Sequence, residues 1–201
     1  MTGMDILELG PLEAAHTYML HNLGAQSITS IENNPRAYLK CLAIKEIFNL
    51  KRANFVLDDA IRHLNGSDKK YDIAVASGIL YHMTNPIALL DALSSKSDRL
   101  FFWTQYFDQN IIAKRPDSSI YQPASEIAPG YFGSKRAYPR EVMDLAIFSG
   151  GDAPYAIWMT RESIIGYLRS KGFQAIDIAF DDPYHVNGPA FALCARRNPA
   201  A

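Results

Sequence analysis

The chain has 201 residues and a mass of 22.4 kDa. That length suits one domain and buries roughly 70% of the extended chain's surface, so a core forms without metal or disulfide staples. A hydrophobic share of 48% and a charged share of 20% exclude a disordered or fibrous chain, and a net charge of −1 (20 Lys+Arg against 21 Asp+Glu) excludes a broad electrostatic footprint for nucleic acid or an anionic membrane.

Asp5–Leu9 reads as a short strand closed by Gly10-Pro11, and Glu13–Leu23 as a helix stopping at Gly24. Ser27–Ile31 is β-branched and alternating, hence a strand. Asn34-Pro35 supplies an N-cap followed by proline at the first helical position. Leu39, Leu42, Ala43, Ile47 and Leu50 then recur at helical spacing, which predicts a surface helix with one buried face. Asn54–Leu57 is the next strand and Ile61–Leu64 a brief helix. Tyr71–Ser77 is a strand, Asn85-Pro86 repeats the cap-then-proline signature before the helix Ile87–Leu93, and Leu100–Thr104 is a strand apolar enough for both faces to be covered.

The rhythm breaks over 105–157, which holds five prolines, five tyrosines and one amphipathic helix near Arg140–Phe148. Fifty-three residues exceed an ordinary connection, so the stretch predicts an inserted cap or lid. Thr160 caps a helix over Arg161–Lys171 that ends at Gly172. Ala175–Phe180 and Ala190–Ala195 are strands joined by a turn that suits an antiparallel pair. The expected fold class is α/β: a Rossmann-like, doubly wound, seven-stranded sheet, mostly parallel with a C-terminal antiparallel hairpin, in an α/β/α sandwich forming one domain over 1–201.

Cys41 and Cys194 have no ligand-like spacing and read as buried free thiols of a reducing compartment. No secretion signal opens the chain and no run of about 18 apolar residues occurs. The expectation is a cytoplasmic protein without a membrane partner.

In an open parallel sheet, ligands sit beyond the carboxyl ends of the strands, where the strand order reverses. Three such ends are polar: Glu8-Leu9-Gly10, Glu32 and Asp58-Asp59. An acid at the position of Glu32 either accepts hydrogen bonds from both ribose hydroxyls of a nucleoside or stands as a solvated strand end. The first turn, Gly10-Pro11-Leu12-Glu13-Ala14-Ala15, is not the G-x-G-x-x-G of a dinucleotide site. Leu12 is bulky and Glu13 would repel a pyrophosphate. A ligand without phosphate and with positive charge suits it better, which disfavours a NAD-linked oxidoreductase.

DILELGP, SITSIE ending at Glu32, FVLDDA and YDIAVASGILYHMTNP together resemble class I S-adenosylmethionine-dependent methyltransferases. The similarity covers about 5–104, and TRESIIGYLRSKGF with its two following strands matches the end of that fold. The resemblance implies S-adenosylmethionine as cofactor. It implies that Glu8, Gly10 and the turn hold the methionine part, Glu32 the ribose, and Asp59 with Ala60 the adenine. Ser77 and Gly78 would line the sulfonium and the acceptor's entry. Leu12 and Ala14 depart from the family's glycine-rich turn, and only four residues precede the first strand where members usually have covering helices. The 105–157 insert or a second subunit is then expected to cover the cofactor, which leaves room for a homodimer.

His82, just past the fourth strand, is the candidate base or substrate-orienting group; the alternative is a histidine that caps its loop or packs beneath Pro86. His16 either faces the methionine carboxylate or is structural, and His21 and His63 read as surface residues. Asp182-Pro183-Tyr184 resembles an amino-methyltransferase tetrapeptide but follows the wrong strand, so it reads as a hairpin turn. Lys135–Arg140 is either a solvated loop or a grip for phosphate or a stacked base. Tyr106, Tyr121, Tyr131, Tyr138, Tyr155 and Trp158 wall an acceptor pocket or form the insert's core. The leading functional expectation is methyl transfer to a small molecule, at oxygen. The alternatives are a transferase modifying wobble uridine in tRNA, to which SGILYHMTNP is also similar, and an inactive methyltransferase-like binding subunit.

Overall fold

The computed structural model describes residues 1–145, 151 and 153–197. Strand and helix alternate through the first half: β1 (Asp5–Leu9), α1 (Ala15–Asn22), β2 (Ser27–Glu32), α2 (Pro35–Ile47), β3 (Ala53–Leu57), α3 (Ala60–Asn65), β4 (Ile73–Ser77), α4 (Pro86–Lys96) and β5 (Arg99–Gln105). The insert carries α5 (Gln109–Ile112), β6 (Ser125–Ala128), β7 (Tyr131–Ala137), α6 (Arg140–Met143) and β8 (Tyr155–Met159). The chain then closes with α7 (Arg161–Ser170), β9 (Phe173–Asp182) and β10 (Ala190–Arg197).

The main sheet has seven strands in the order β3-β2-β1-β4-β5-β10-β9. The first five are parallel, and β10 runs antiparallel to both its neighbours. The order reverses between β1 and β4, so the crevice for a ligand opens beyond Leu9 and Ser77.

The twofold alternation of the strands sorts the core into two faces. Leu7, Leu9, Ala74, Ala76, Leu100 and Phe102 are buried with Leu64 of α3, Leu89, Leu90 and Leu93 of α4, and Ile164 and Leu168 of α7. Ile6, Ile28 and Val75 face the other way, against Leu20 of α1. Cys41 of α2 packs on Ala14, Ala53 and Phe55. The expected caps form: Asn34 Oδ1 accepts from the Arg36 and Ala37 amides at 2.9 and 3.3 Å, Asn85 Oδ1 from Ala88 at 3.1 Å, and Thr160 Oγ1 from Ser163 at 3.2 Å.

Helix α1 starts at Ala15, not at Glu13, because Leu12 and Ala14 hold left-handed backbone conformations (φ 53° and 60°) that no helix admits. The insert is more regular than its composition suggests, since β6, β7 and β8 pair as a second, antiparallel sheet. Tertiary pairing, not local pattern, makes those strands. Ile157 N–H donates to Met83 O at 2.8 Å, which ties this sheet to the loop after β4, and Phe107 N–H donates to Met159 O at 2.8 Å, which ties it to the segment after β5. Lys135–Ala137 belong to β7 and are not a solvated loop. The helix expected near Arg140–Phe148 is present over Arg140–Met143, and positions 146–148 lie outside the described residues.

Cys194 is only half-buried, because its strand β10 directs it away from the α7 face. His21 and His63 are half-buried too and not surface residues; His63 Nδ1 lies 3.3 Å from Asp58 Oδ2. Asp182–Tyr184 is the expected hairpin turn, with Tyr184 N–H donating to Asp182 Oδ1 at 3.0 Å.

Candidate active site

A cavity of about 420 Å³ opens at the switch point. Gly10, Glu32, Asp59, Ala60, Ser77, Gly78 and His82 all line it, brought together from the ends of four parallel strands. His16 lines it as well. Tyr81, Asn33 and Met83 join them without having been singled out in the sequence. Nothing in their local pattern separates them from ordinary loop and core residues.

Glu32 is 7% exposed, so the reading of it as a solvated strand end fails. Its Oε2 accepts from Leu12 N–H at 3.0 Å and its Oε1 from Asn34 N–H at 2.9 Å. A carboxylate has about four lone-pair sites, so each oxygen keeps one. The two backbone bonds fix the carboxylate plane and tie the β2 end to the first turn.

That turn keeps three left-handed residues at alternate positions: Gly10 (φ 66°), Leu12 (φ 53°) and Ala14 (φ 60°). Only the first is a glycine. A left-handed non-glycine residue costs about 1–2 kcal/mol; here the Glu32 carboxylate on the Leu12 amide and the Ala14 N–H to Pro11 O bond of 2.8 Å hold the conformation. The turn has the shape of a glycine-rich loop without its glycines.

Glu8 sits elsewhere than its neighbours in sequence. It is 2% exposed and does not line the cavity. By the alternation of β1 it shares the face of Ile6, beneath α1. Its Oε2 accepts from the hydroxyls of Thr17 and, at 2.6 Å, Ser30, while Oε1 has no partner among the described residues. Burial holds its carboxyl above the usual carboxylate range, against the two hydroxyl bonds and the nearby His16.

At the β3 end, Asp59 Oδ1 caps α3 by accepting from Arg62 N–H at 2.8 Å, leaving its other oxygen for a ligand. Asp58 binds the Arg62 guanidinium, which holds its carboxyl below the usual range. Gly78 needs its missing side chain for conformation, with φ 84° and an N–H bonded to Trp103 O at 2.8 Å.

His82 sits against the insert. Its Nδ1 lies 3.0 Å from the Tyr138 hydroxyl, and its ring packs on that of Tyr81 at 4.3 Å between centroids, tilted by 42°. Burial, reinforced by the charge of Arg136, pulls its pKa down to about 4, so the imidazole is neutral at physiological pH. Tyr138 and Trp158 form the insert's own core with Phe107 and Ile112, and Tyr121 packs against it. Tyr106 joins the main core, with Tyr131 packed against it. Tyr155 is half-buried beneath Lys135, whose Nζ lies 4.2 Å from its ring centroid. Among the described residues no cluster of His, Cys, Asp and Glu is arranged to hold a metal ion.

No protein-family profile and no curated protein matches the chain. Solved structures do. The N-terminal domain of EvdMO1, in the presence of SAH and D-fucose, superposes with a TM-score of 0.77 at 20% identity, covering 98% of this chain and 77% of that one. An O-methyltransferase family protein from Burkholderia thailandensis gives 0.65 at 9% identity over 98% of this chain and 52% of its own. The 1,6-didemethyltoxoflavin-N1-methyltransferase of the same organism, with its substrate and S-adenosylhomocysteine bound, gives 0.61 at 14% over 98% and 72%. The fold is that of the class I S-adenosylmethionine-dependent methyltransferases. The solved structures that share it are named for oxygen and for nitrogen acceptors alike, so the fold leaves the acceptor atom open.

Proposed function

We propose that the chain is a methyltransferase that uses S-adenosylmethionine and methylates a small molecule at oxygen. The observation that carries the reading is the convergence of Gly10, Glu32, Asp59 and Ser77–Gly78 on one switch-point cavity. The residues fit an adenosyl sulfonium ligand. Glu32 keeps one lone pair on each oxygen, the arrangement a ribose diol requires. Asp59 has an oxygen left to accept from the adenine amino group, beside the Ala60 backbone.

When bound, the cofactor supplies a methyl group on a cationic sulfur that is already a good leaving group. The protein then has to hold the acceptor oxygen about 3 Å from that carbon, in line with the breaking bond, and keep water out. Ser77 and Gly78 form the floor there, and His82 stands in the wall where the acceptor enters. The insert is the cap that backs this wall. An oxygen acceptor is favoured because Tyr81 and His82 in the wall offer it hydrogen-bonding groups, and the charge of the half-buried Arg136 reaches His82 and disfavours a second cation beside it. No observation favours the tRNA or binding-only alternatives.

Titration calorimetry with S-adenosylhomocysteine tests the reading: saturation at one equivalent is expected, and no heat at ligand up to about 1 mM would overturn it. A tritiated methyl donor with a panel of hydroxy and carboxylic acids tests the transfer.

A further inference from the structure

Tyr81 stands in the cavity wall on a segment clamped at both ends. Gly78 N–H donates to Trp103 O of β5 at 2.8 Å, and Met83 O accepts from Ile157 N–H of β8 at 2.8 Å. Between them Leu80–His82 form one 3₁₀ turn, closed by His82 N–H to Ile79 O at 3.0 Å and anchored by Leu80 in the main core. Three rings pack on that of Tyr81. Trp103 of the main sheet and Trp158 of the insert each meet it edge to face at 5.9 Å between centroids, and His82 lies at 4.3 Å. The ring cannot swing without displacing one of them.

The hydroxyl is the end that this packing leaves open. It makes no hydrogen bond among the described residues and is not one of the sealed, unpartnered buried atoms, so it opens to the cavity that Tyr81 lines. It lies 3.6 Å from the point where a Cβ on Gly78 would stand. Burial pushes its pKa up to about 12, so it keeps its proton at physiological pH, while the nearby charge of Arg136 strengthens it as a donor. The cavity's carboxylates, Glu13, Glu32, Asp58 and Asp59, come from the first turn and the ends of β2 and β3, and the lining from Ser77 to Met83 holds none. The cationic cofactor is drawn to the acidic half, and the half at the end of β4 is left for a neutral group to recognise the acceptor.

We propose that the Tyr81 hydroxyl holds the methyl acceptor, donating a hydrogen bond to the acceptor's oxygen above Gly78. The proposal rests on the methyltransferase reading and names the residue that orients its acceptor. One bond from a fixed donor engages one lone pair of that oxygen and leaves another for the methyl carbon. Tyr81 keeps its own proton, so it orients the oxygen and removes no proton from it. The apolar company of Ile79 and Met83 and the ring of His82 in the same wall suit a hydroxyl carried on a flat apolar frame, for which phenol is the smallest probe.

The test uses the full chain saturated with S-adenosylhomocysteine, titrated by NMR with phenol and with toluene, which has the same shape and no oxygen. Tyr81→Phe keeps the ring among its three neighbours and removes only the donor. It should lower the ratio of phenol to toluene affinity about three- to tenfold, the worth of one net hydrogen bond, with S-adenosylhomocysteine affinity unchanged. In the wild type, which needs no variant to fold, the Tyr81 signal of carbon-13 ζ-labelled tyrosine should move with phenol and not with toluene. An unchanged ratio, or a Tyr81 signal that answers both compounds alike, would overturn the proposal. Failure of S-adenosylhomocysteine itself to bind would instead sink the methyltransferase reading.

Discussion

Replacing Glu32 tests structure and ligand binding at once, because the same carboxylate serves both. In the folded chain it accepts the amides of Leu12 and Asn34 at 3.0 and 2.9 Å from a position only 7% exposed. Glu32→Ala leaves two part-buried N–H groups without that acceptor. At about 1–3 kcal/mol each, partly relieved by entering water, the folded state should lose about 2–4 kcal/mol. Glu32→Gln keeps the shape and one carbonyl oxygen but turns an amino group toward one of the two amides, so it should lose about 1–3 kcal/mol. Urea denaturation without ligand measures these losses. The second effect is on the ribose: with one acceptor gone, S-adenosylhomocysteine affinity of Glu32→Gln should fall about 10–100-fold, equivalent to about 1.4–2.8 kcal/mol. The two readouts separate the claims. A variant as stable as the wild type would refute the backbone bonds. A destabilised variant that binds S-adenosylhomocysteine as tightly as before would refute the ribose assignment.

Other expectations follow from single features. Leu12→Gly should shift stability by less than about 0.5 kcal/mol, since relief at φ 53° is offset by the freer unfolded chain, whereas β-branched Leu12→Val should cost about 1–2 kcal/mol by thermal melting. In Gly133→Ala the new carbon would stand 2.9 Å from Trp158 O and 3.3 Å from Met159 Cα, so β7 and β8 must part, at about 1–3 kcal/mol; hydrogen exchange should show lost protection in the insert first. His82 titrates near 4 in the fold and near 6.5 unfolded. Between those values the unfolded chain binds more protons, so the histidine's contribution is fully present above about pH 6.5. It falls away as pH drops toward 4, by up to roughly 3 kcal/mol. The difference between wild type and His82→Gln in urea melts across that window should show this slope, and parallel curves would refute it.

The elements whose cause is local were legible in the chain. Asn34-Pro35, Asn85-Pro86 and Thr160 mark helix starts because a cap is made by the residue beside it, and the alternation of Ser27–Glu32 or the apolar run of β5 reports burial directly. That Glu32, Asp59 and Ser77–Gly78 share one cavity was legible for a related reason: in a parallel sheet every strand end points to the same rim, so the end of each run is already a coordinate. Glu8 shows the limit of that rule. It is one residue short of the strand end, and the alternation of β1 places it under α1 beside Thr17 and Ser30, a partnership between residues nine and twenty-two positions away.

What the amino-acid sequence determined by itself is the alternation of strand and helix, and with it the rim on which the acids stand. What only the tertiary structure decided is the insert. Its strands β6, β7 and β8 have no strong period of their own and exist because they pair with one another and with the loop after β4. That pairing carries Arg136 and Tyr138 to His82, fifty-four and fifty-six residues away in the chain. Contacts across such distances depend on where the backbone has already been placed, and no local pattern of side chains encodes them.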